Sequence, residues 1–205
     1  MSNQSQVLVE VTTKSTVTYF SKMPPPVFPI VKLNGKQVPP PQKIPTDYSA
    51  SGFLALVVDS TRDVTDPASI LANLAIPIWP ENGTNWWWPT YETTYNVVVN
   101  TVLNAGNTEN QLLVVASYGL DNNMTPNNDA LYLFLSFGAG EQLQIWGKTA
   151  DSGSQVDNPD SWVGFPANYV LAGFSGTAYG LGAEKHEQAS PEIDTSFSAT
   201  LTNIG

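Results

Sequence analysis

Residues 112–146 read LLVVASYGLDNNMTPNNDALYLFLSFGAGEQLQIW, and the fold turns on how the three apolar runs in them are taken. The runs 112–118, 130–137 and 142–146 are short, rich in Val, Leu, Tyr and Phe, and separated by polar or glycine links. Short apolar runs bounded by turn signals predict three consecutive strands. On this reading 119–129, GLDNNMTPNND, is a polar loop, and Gly138-Ala139-Gly140 is short enough to close a hairpin.

The flanking sequence extends the same pattern. Val7, Val9 and Val11, then Val17 and Tyr19, alternate with polar residues, so 6–19 predicts one bent strand or a hairpin. Residues 23–45 carry two proline triplets, Pro24–26 and Pro39–41, which cannot lie inside a helix or a central strand. Between the triplets, VFPIVKL followed by Asn34-Gly35 predicts a short edge strand entering a tight turn. The run FLALVV at 53–58 predicts a buried strand. Asp66-Pro67-Ala68 predicts the chain's one helix, with Asp66 as cap, Pro67 in the first position, and Ile70, Leu71 and Leu74 sharing a face up to Pro77.

Tyr95, Val97 and Val99 alternate with Asn96, Val98 and Asn100, predicting another long strand. Residues 169–182, YVLAGFSGTAYGLG, predict a strand with bulges or close backbone approaches. Residues 184–192 read as a charged linker, with the lone His186 solvated. From Ile193 to Asn203 apolar and polar residues alternate, and a strand this regular ties the C-terminus into a sheet. The links are short and polar, which favours antiparallel neighbours. The fold class predicted is all-β: a single domain over 1–205 forming an antiparallel two-sheet β-sandwich of jelly-roll-like form, with a β-barrel or β-prism as the alternative. Gly173-Phe174-Ser175-Gly176 resembles the glycine-rich strands of sugar-binding β-prisms over four residues, and that assigns no site residue.

Composition bounds the function. Of the 205 residues 41% are hydrophobic, enough for a sizeable core, and only 13% are charged, against about 25% in an average domain. Solubility therefore rests on Ser, Thr, Asn and Gln. Eighteen acidic and eight basic residues give a net charge of -10, a field that repels nucleic-acid phosphates. The absence of cysteine removes disulfides and thiolate chemistry. No stretch reaches the roughly 20 apolar residues of a membrane helix. Met1 to Ser5 is polar without a basic n-region, which predicts a cytoplasmic protein or one released without a conventional signal peptide.

No catalytic signature emerges. A single histidine excludes multi-histidine metal sites, no nucleophile elbow accompanies the serines, and the glycine clusters lack the lysine of a phosphate loop. The expectation is a non-enzyme without an obligate cofactor. Two polar loops gather oxygen ligands, with Asp121, Asn123 and Asp129 in one and Asp157 in the next, and calcium is the metal such donors suit. Asx residues are equally good turn formers, which is the simpler account of both loops.

The segment 79–91, WPENGTNWWWPTY, is the most unusual in composition. Indole rings stack on the apolar faces of sugars while neighbouring amides bond hydroxyls, so Asn85, Trp86, Trp87, Trp88 and Tyr91 are the candidate ligand-binding residues. The leading expectation is a lectin-like protein that binds neutral carbohydrate and forms a homo-oligomer. A structural or self-assembling protein, in which the indoles fill an interface, is the second reading. A pore-forming toxin, whose alternating strands rebuild into a barrel, is the third.

Overall fold

The computed structural model describes residues 6–16, 27–43, 52–77, 89–121, 126–151, 166–188 and 192–203. They form two sheets stacked face to face, with three helices on the outer side of the larger one. The smaller sheet runs β11-β1-β2-β3, comprising β1 (Gln6–Thr16), β2 (Ile30–Leu33), β3 (Lys36–Gln37) and β11 (Glu192–Thr202). The larger is built on five antiparallel strands in the order β10-β9-β7-β5-β6: β5 (Gly52–Asp59), β6 (Ile70–Pro77), β7 (Gln111–Tyr118), β9 (Pro166–Phe174) and β10 (Ala183–Gln188). Two two-residue strands complete it. β4 (Gln42–Lys43) runs parallel to β6, and β8 (Leu120–Asp121) pairs with β9. Both sheets are open, so the antiparallel two-sheet sandwich is the architecture and the closed barrel is not.

The strand patterns explain the layering. β1 and β11 alternate, and their register sets Val7 opposite Leu201, Val9 opposite Ala199 and Val11 opposite Phe197, giving one apolar face and one wet face. β5 and β7 are buried at every position, because a continuous apolar run needs cover on both sides. Leu54, Leu56 and Val58 with Leu112, Val114 and Ala116 meet the smaller sheet, together with Val170 and Ala172 of β9. Phe53, Ala55 and Val57 with Leu113 and Val115 meet the helices, together with Tyr169 and Leu171. Each large apolar side chain buried this way stabilises the fold by about 1.5–3 kcal/mol. The Asn34-Gly35 turn is as expected: both residues take positive φ (49° and 78°) and join β2 to β3.

The helices correct the opening reading. Of the three apolar runs in 112–146, the first is strand β7, while the other two lie in α2 (Asn128–Ser136) and α3 (Glu141–Asp151). The alternating Tyr95–Val99 segment lies in a third helix, α1 (Pro89–Asn104). α1 buries Tyr95, Val98 and Val102, a 3.6-residue spacing that overlies the period-2 pattern of Tyr95, Val97 and Val99. Its β-branched residues favour a strand, but the apolar face of β5 and β6 needs a cover, and burial outweighs propensity. α2 starts at Asn127, whose Oδ1 accepts from the Ala130 N–H at 3.0 Å, and it buries Ala130, Leu133 and Phe134. It stops at Gly138, which takes φ +85° and sits where a Cβ would collide with the Gly182 N.

The one helix expected from sequence shrinks to a single 3-10 turn, Pro67–Ser69. Its signals are used as read: the Asp66 Oδ1 accepts from the Ala68 N–H at 2.9 Å, and Pro67 takes the first position. Ile70, Leu71 and Leu74 then belong to β6, because β5 requires a neighbour on that side.

Candidate binding cleft at the sheet seam

β11 packs over β9, and β1 over β9 and β7, so β10 extends one strand past the edge of the smaller sheet. Residues 184–188 of the segment read as a charged linker thus belong to strand β10, which presents two distinct faces. Ala183, Lys185 and Glu187 lie opposite Ala172, Val170 and Asn168 of β9 and face the smaller sheet. At one end they stitch the sheets together. Lys185 Nζ donates to the Ser196 carbonyl at 3.1 Å and lies 2.8 Å from Glu187 Oε1. The Thr195 hydroxyl donates to Glu187 Oε2 at 2.7 Å and accepts from Asn168 Nδ2 at 2.9 Å. Asn168 Oδ1 in turn lies 2.5 Å from the Ser15 hydroxyl, and Thr13 bonds the Ser117 carbonyl. The buried members of this set, Thr13, Ser15, Asn168 and Thr195, all have hydrogen-bond partners within the seam, as burial requires. Burial raises the Glu187 carboxyl, but its bonds from Lys185 and Thr195 outweigh that and leave it below its ordinary value of 4.5.

Beyond this seam the two edges diverge into an open cleft of about 770 Å³, lined among others by Glu141, Gln142, Tyr179, Lys185, Ser196 and Ser198. One wall is the outer edge of β11. The Ser196 carbonyl points there, and strand alternation turns the backbone of Ser198 the same way. At the rim Tyr179 is 55% exposed and Leu181 66%.

The opposite face of β10 anchors α3. Glu184 Oε1 accepts from the Gly140 and Gln142 N–H groups, both at 2.8 Å, and Oε2 accepts from the Leu143 N–H at 3.2 Å. A carboxylate on the free amides of a helix start is held by bonds and by the helix dipole together. Tyr169 donates its phenol to Glu184 Oε2 at 3.0 Å. Burial, and next the neighbouring Glu184 charge, push that phenol well above its ordinary value of 10.0, so it stays a neutral donor. Trp146, fully buried, stacks on Tyr169 with ring centroids 5.0 Å apart and on His186 at 6.1 Å. His186 is therefore not the solvated residue its charged neighbours suggested. Its Nε2 is buried without a hydrogen-bond partner, and burial holds the imidazole below its ordinary 6.5 against the opposing pull of Glu187.

Of the residues singled out in the sequence, Asn85, Trp86, Trp87 and Trp88 lie outside the described residues, as do Asn123 and Asp157. Tyr91 lies in the first turn of α1, and Asp121 in β8 opposite Pro166. Asp129 is exposed in the first turn of α2, where a negative charge complements the helix dipole. Among the described residues no three His, Asp or Glu side chains gather as a metal site. The structure thus brings together a different set: Gln142, Tyr179, Glu184, Lys185 and Ser198. AEKHEQ carries no apolar alternation that would have marked β10, whereas the glycines of 173–182 were the signal for close packing. A Cβ on Gly173 would collide with the Phe137 carbonyl, so the expected close approach is there. Comparison with protein-family models and with curated proteins finds no match for the chain.

Proposed function

We propose that the chain is a non-enzymatic carbohydrate-binding protein and that the seam cleft is its site. The observation that carries this reading is an exposed tyrosine ring beside an open cleft of about 770 Å³ whose lining includes Gln142, Ser196 and Ser198. Tyr179 offers a face for the C–H surface of a sugar ring, while Gln142, Ser196 and Ser198 offer donors and acceptors for its hydroxyls. The charges of the cleft favour a neutral ligand. Lys185 is engaged by Glu187 and the Ser196 carbonyl, and Glu184 by the start of α3, which leaves Glu141 to repel anions.

A glycan array probed with wild type and Tyr179→Ala tests the proposal. Neutral oligosaccharides bind the wild type, and the variant loses about tenfold in affinity, the worth of one good aromatic contact. No glycan bound at high protein concentration sinks the reading. Loss of binding in Trp87→Ala with retention in Tyr179→Ala moves the site to the tryptophan segment.

A further inference from the structure

His186 is the chain's sole histidine, and it follows the cleft-lining Lys185 on β10, its ring stacked on Trp146 of α3. Its backbone N–H donates to Gln142 Oε1 at 3.3 Å, and the Gln142 N–H donates to Glu184 Oε1. Gln142 and Glu184 both line the cleft, so β10, the start of α3 and the cleft wall form one mechanical unit around this ring. The ring is stacked at 21° on Trp146 with one nitrogen sealed from water and unpartnered. That arrangement suits a neutral imidazole. The imidazolium carries a hydrogen on both ring nitrogens, so Nε2 is then a charged donor without a hydrogen-bond acceptor, and an unpaired buried charge is costly. A cation over an indole recovers only part of that cost.

We infer that His186 is an acid-sensitive latch on the cleft: protonation drives the ring from its stack, loosens β10 from α3 and reshapes the wall that Gln142 and Glu184 form. This rests on the cleft being the binding site, as proposed above. Of the charged and titratable groups around the ring, among described side chains, Glu187 pulls toward the charged form, and none makes a hydrogen bond to Nε2. On its own strand Glu187 is paired with Lys185 at 2.8 Å, and Glu184 is spent on α3. From β9, Tyr169 donates to Glu184. From α3, Glu141 is exposed at the first turn, and from β11 Asp194 is drawn to Lys14 at 3.7 Å. The sign follows from the lowered folded-state value. The released ring binds a proton more readily than the stacked one, so the latch is closed above pH 6.5 and opens as pH falls below it.

A single histidine gives a single imidazole signal, which makes the test direct. Proton–nitrogen correlation spectra of the full chain are followed from about pH 8 to about pH 5, bracketing the ordinary histidine range. The amides of Gln142, Glu184 and Lys185 shift together with the imidazole in wild type and do not in His186→Phe, which keeps the stack without the titration; His186→Gln serves if the phenylalanine variant does not fold. A glycan identified on the array binds at least about fivefold more weakly at the acid end in wild type only. An imidazole that titrates while these amides stay still, that stays neutral throughout, or that titrates only with global unfolding overturns the latch. The spectra need no ligand, so failure to find a glycan overturns the proposed function alone.

Discussion

Asp59 closes β5 with a carboxylate that is almost fully buried, at 7% exposure. Its Oδ1 accepts from the Thr61 N–H at 3.0 Å, the Thr61 hydroxyl at 2.6 Å and Asn107 Nδ2 at 2.9 Å, while Oδ2 lies 3.3 Å from Arg62 Nε. The hydroxyl bond from Thr61 does most to hold the carboxyl below its ordinary 3.8, against the opposing effect of burial. Arg62 is more than half exposed, so the ion pair adds little and the hydrogen bonds from Thr61 and Asn107 decide. Asp59→Asn should cost about 1–2 kcal/mol in urea unfolding at neutral pH. Because the folded state holds the proton less tightly than the unfolded one, this contribution is present above pH 3.8 and is lost as pH falls below it. The gap in melting temperature between wild type and variant should therefore narrow between about pH 5 and about pH 2.5, and a constant gap would remove the carboxylate from the account.

At the scale of elements, α3 depends on a residue from another part of the chain. Three of its leading amides are satisfied by Glu184, 41 to 44 residues away, and none of the three bonds forms until β10 is in place. Glu184→Gln removes the charge and one acceptor, with an expected loss of about 1–2 kcal/mol in chemical denaturation. Glu141→Gln is the control. It lies in the same first turn but exposed, so its loss should stay within about 0.5 kcal/mol. Equal losses for the two variants would show that Glu184 contributes only helix-dipole charge and that its bonds to the amides add nothing.

For the molecule as a whole, β11 is the strand whose removal is least survivable. It pairs with β1 over eleven positions, closes the inter-sheet core with Phe197 and Leu201, and supplies Thr195 to the polar seam. Burial of those two apolar side chains alone contributes about 3–6 kcal/mol, a large share of the 5–15 kcal/mol that holds an ordinary domain together. Truncation before Glu192 should abolish cooperative unfolding and near-ultraviolet circular dichroism. A truncated chain that still melts in one sharp transition would show the larger sheet and its helices to be self-sufficient.

What the sequence determined was burial. The alternation of β1 and β11 has one apolar face, FLALVV and LLVVASY have two, and Asn34-Gly35 fits a tight turn, so the two-sheet sandwich was legible from local pattern. A strand apolar on both faces also demands a second covering layer, but pattern does not say what that layer is. Tertiary structure assigned it to helices, because Tyr95, Val98 and Val102 fill the face of β5 only when α1 is wound, whatever their β-branched preference. The same holds at the cleft. Lys185 and Ser196, or Glu184 and Gly140, are neighbours only after β10 has paired with β9 at the open edge of the sandwich, and no spacing along the chain encodes a contact made by two sheets ending one strand apart.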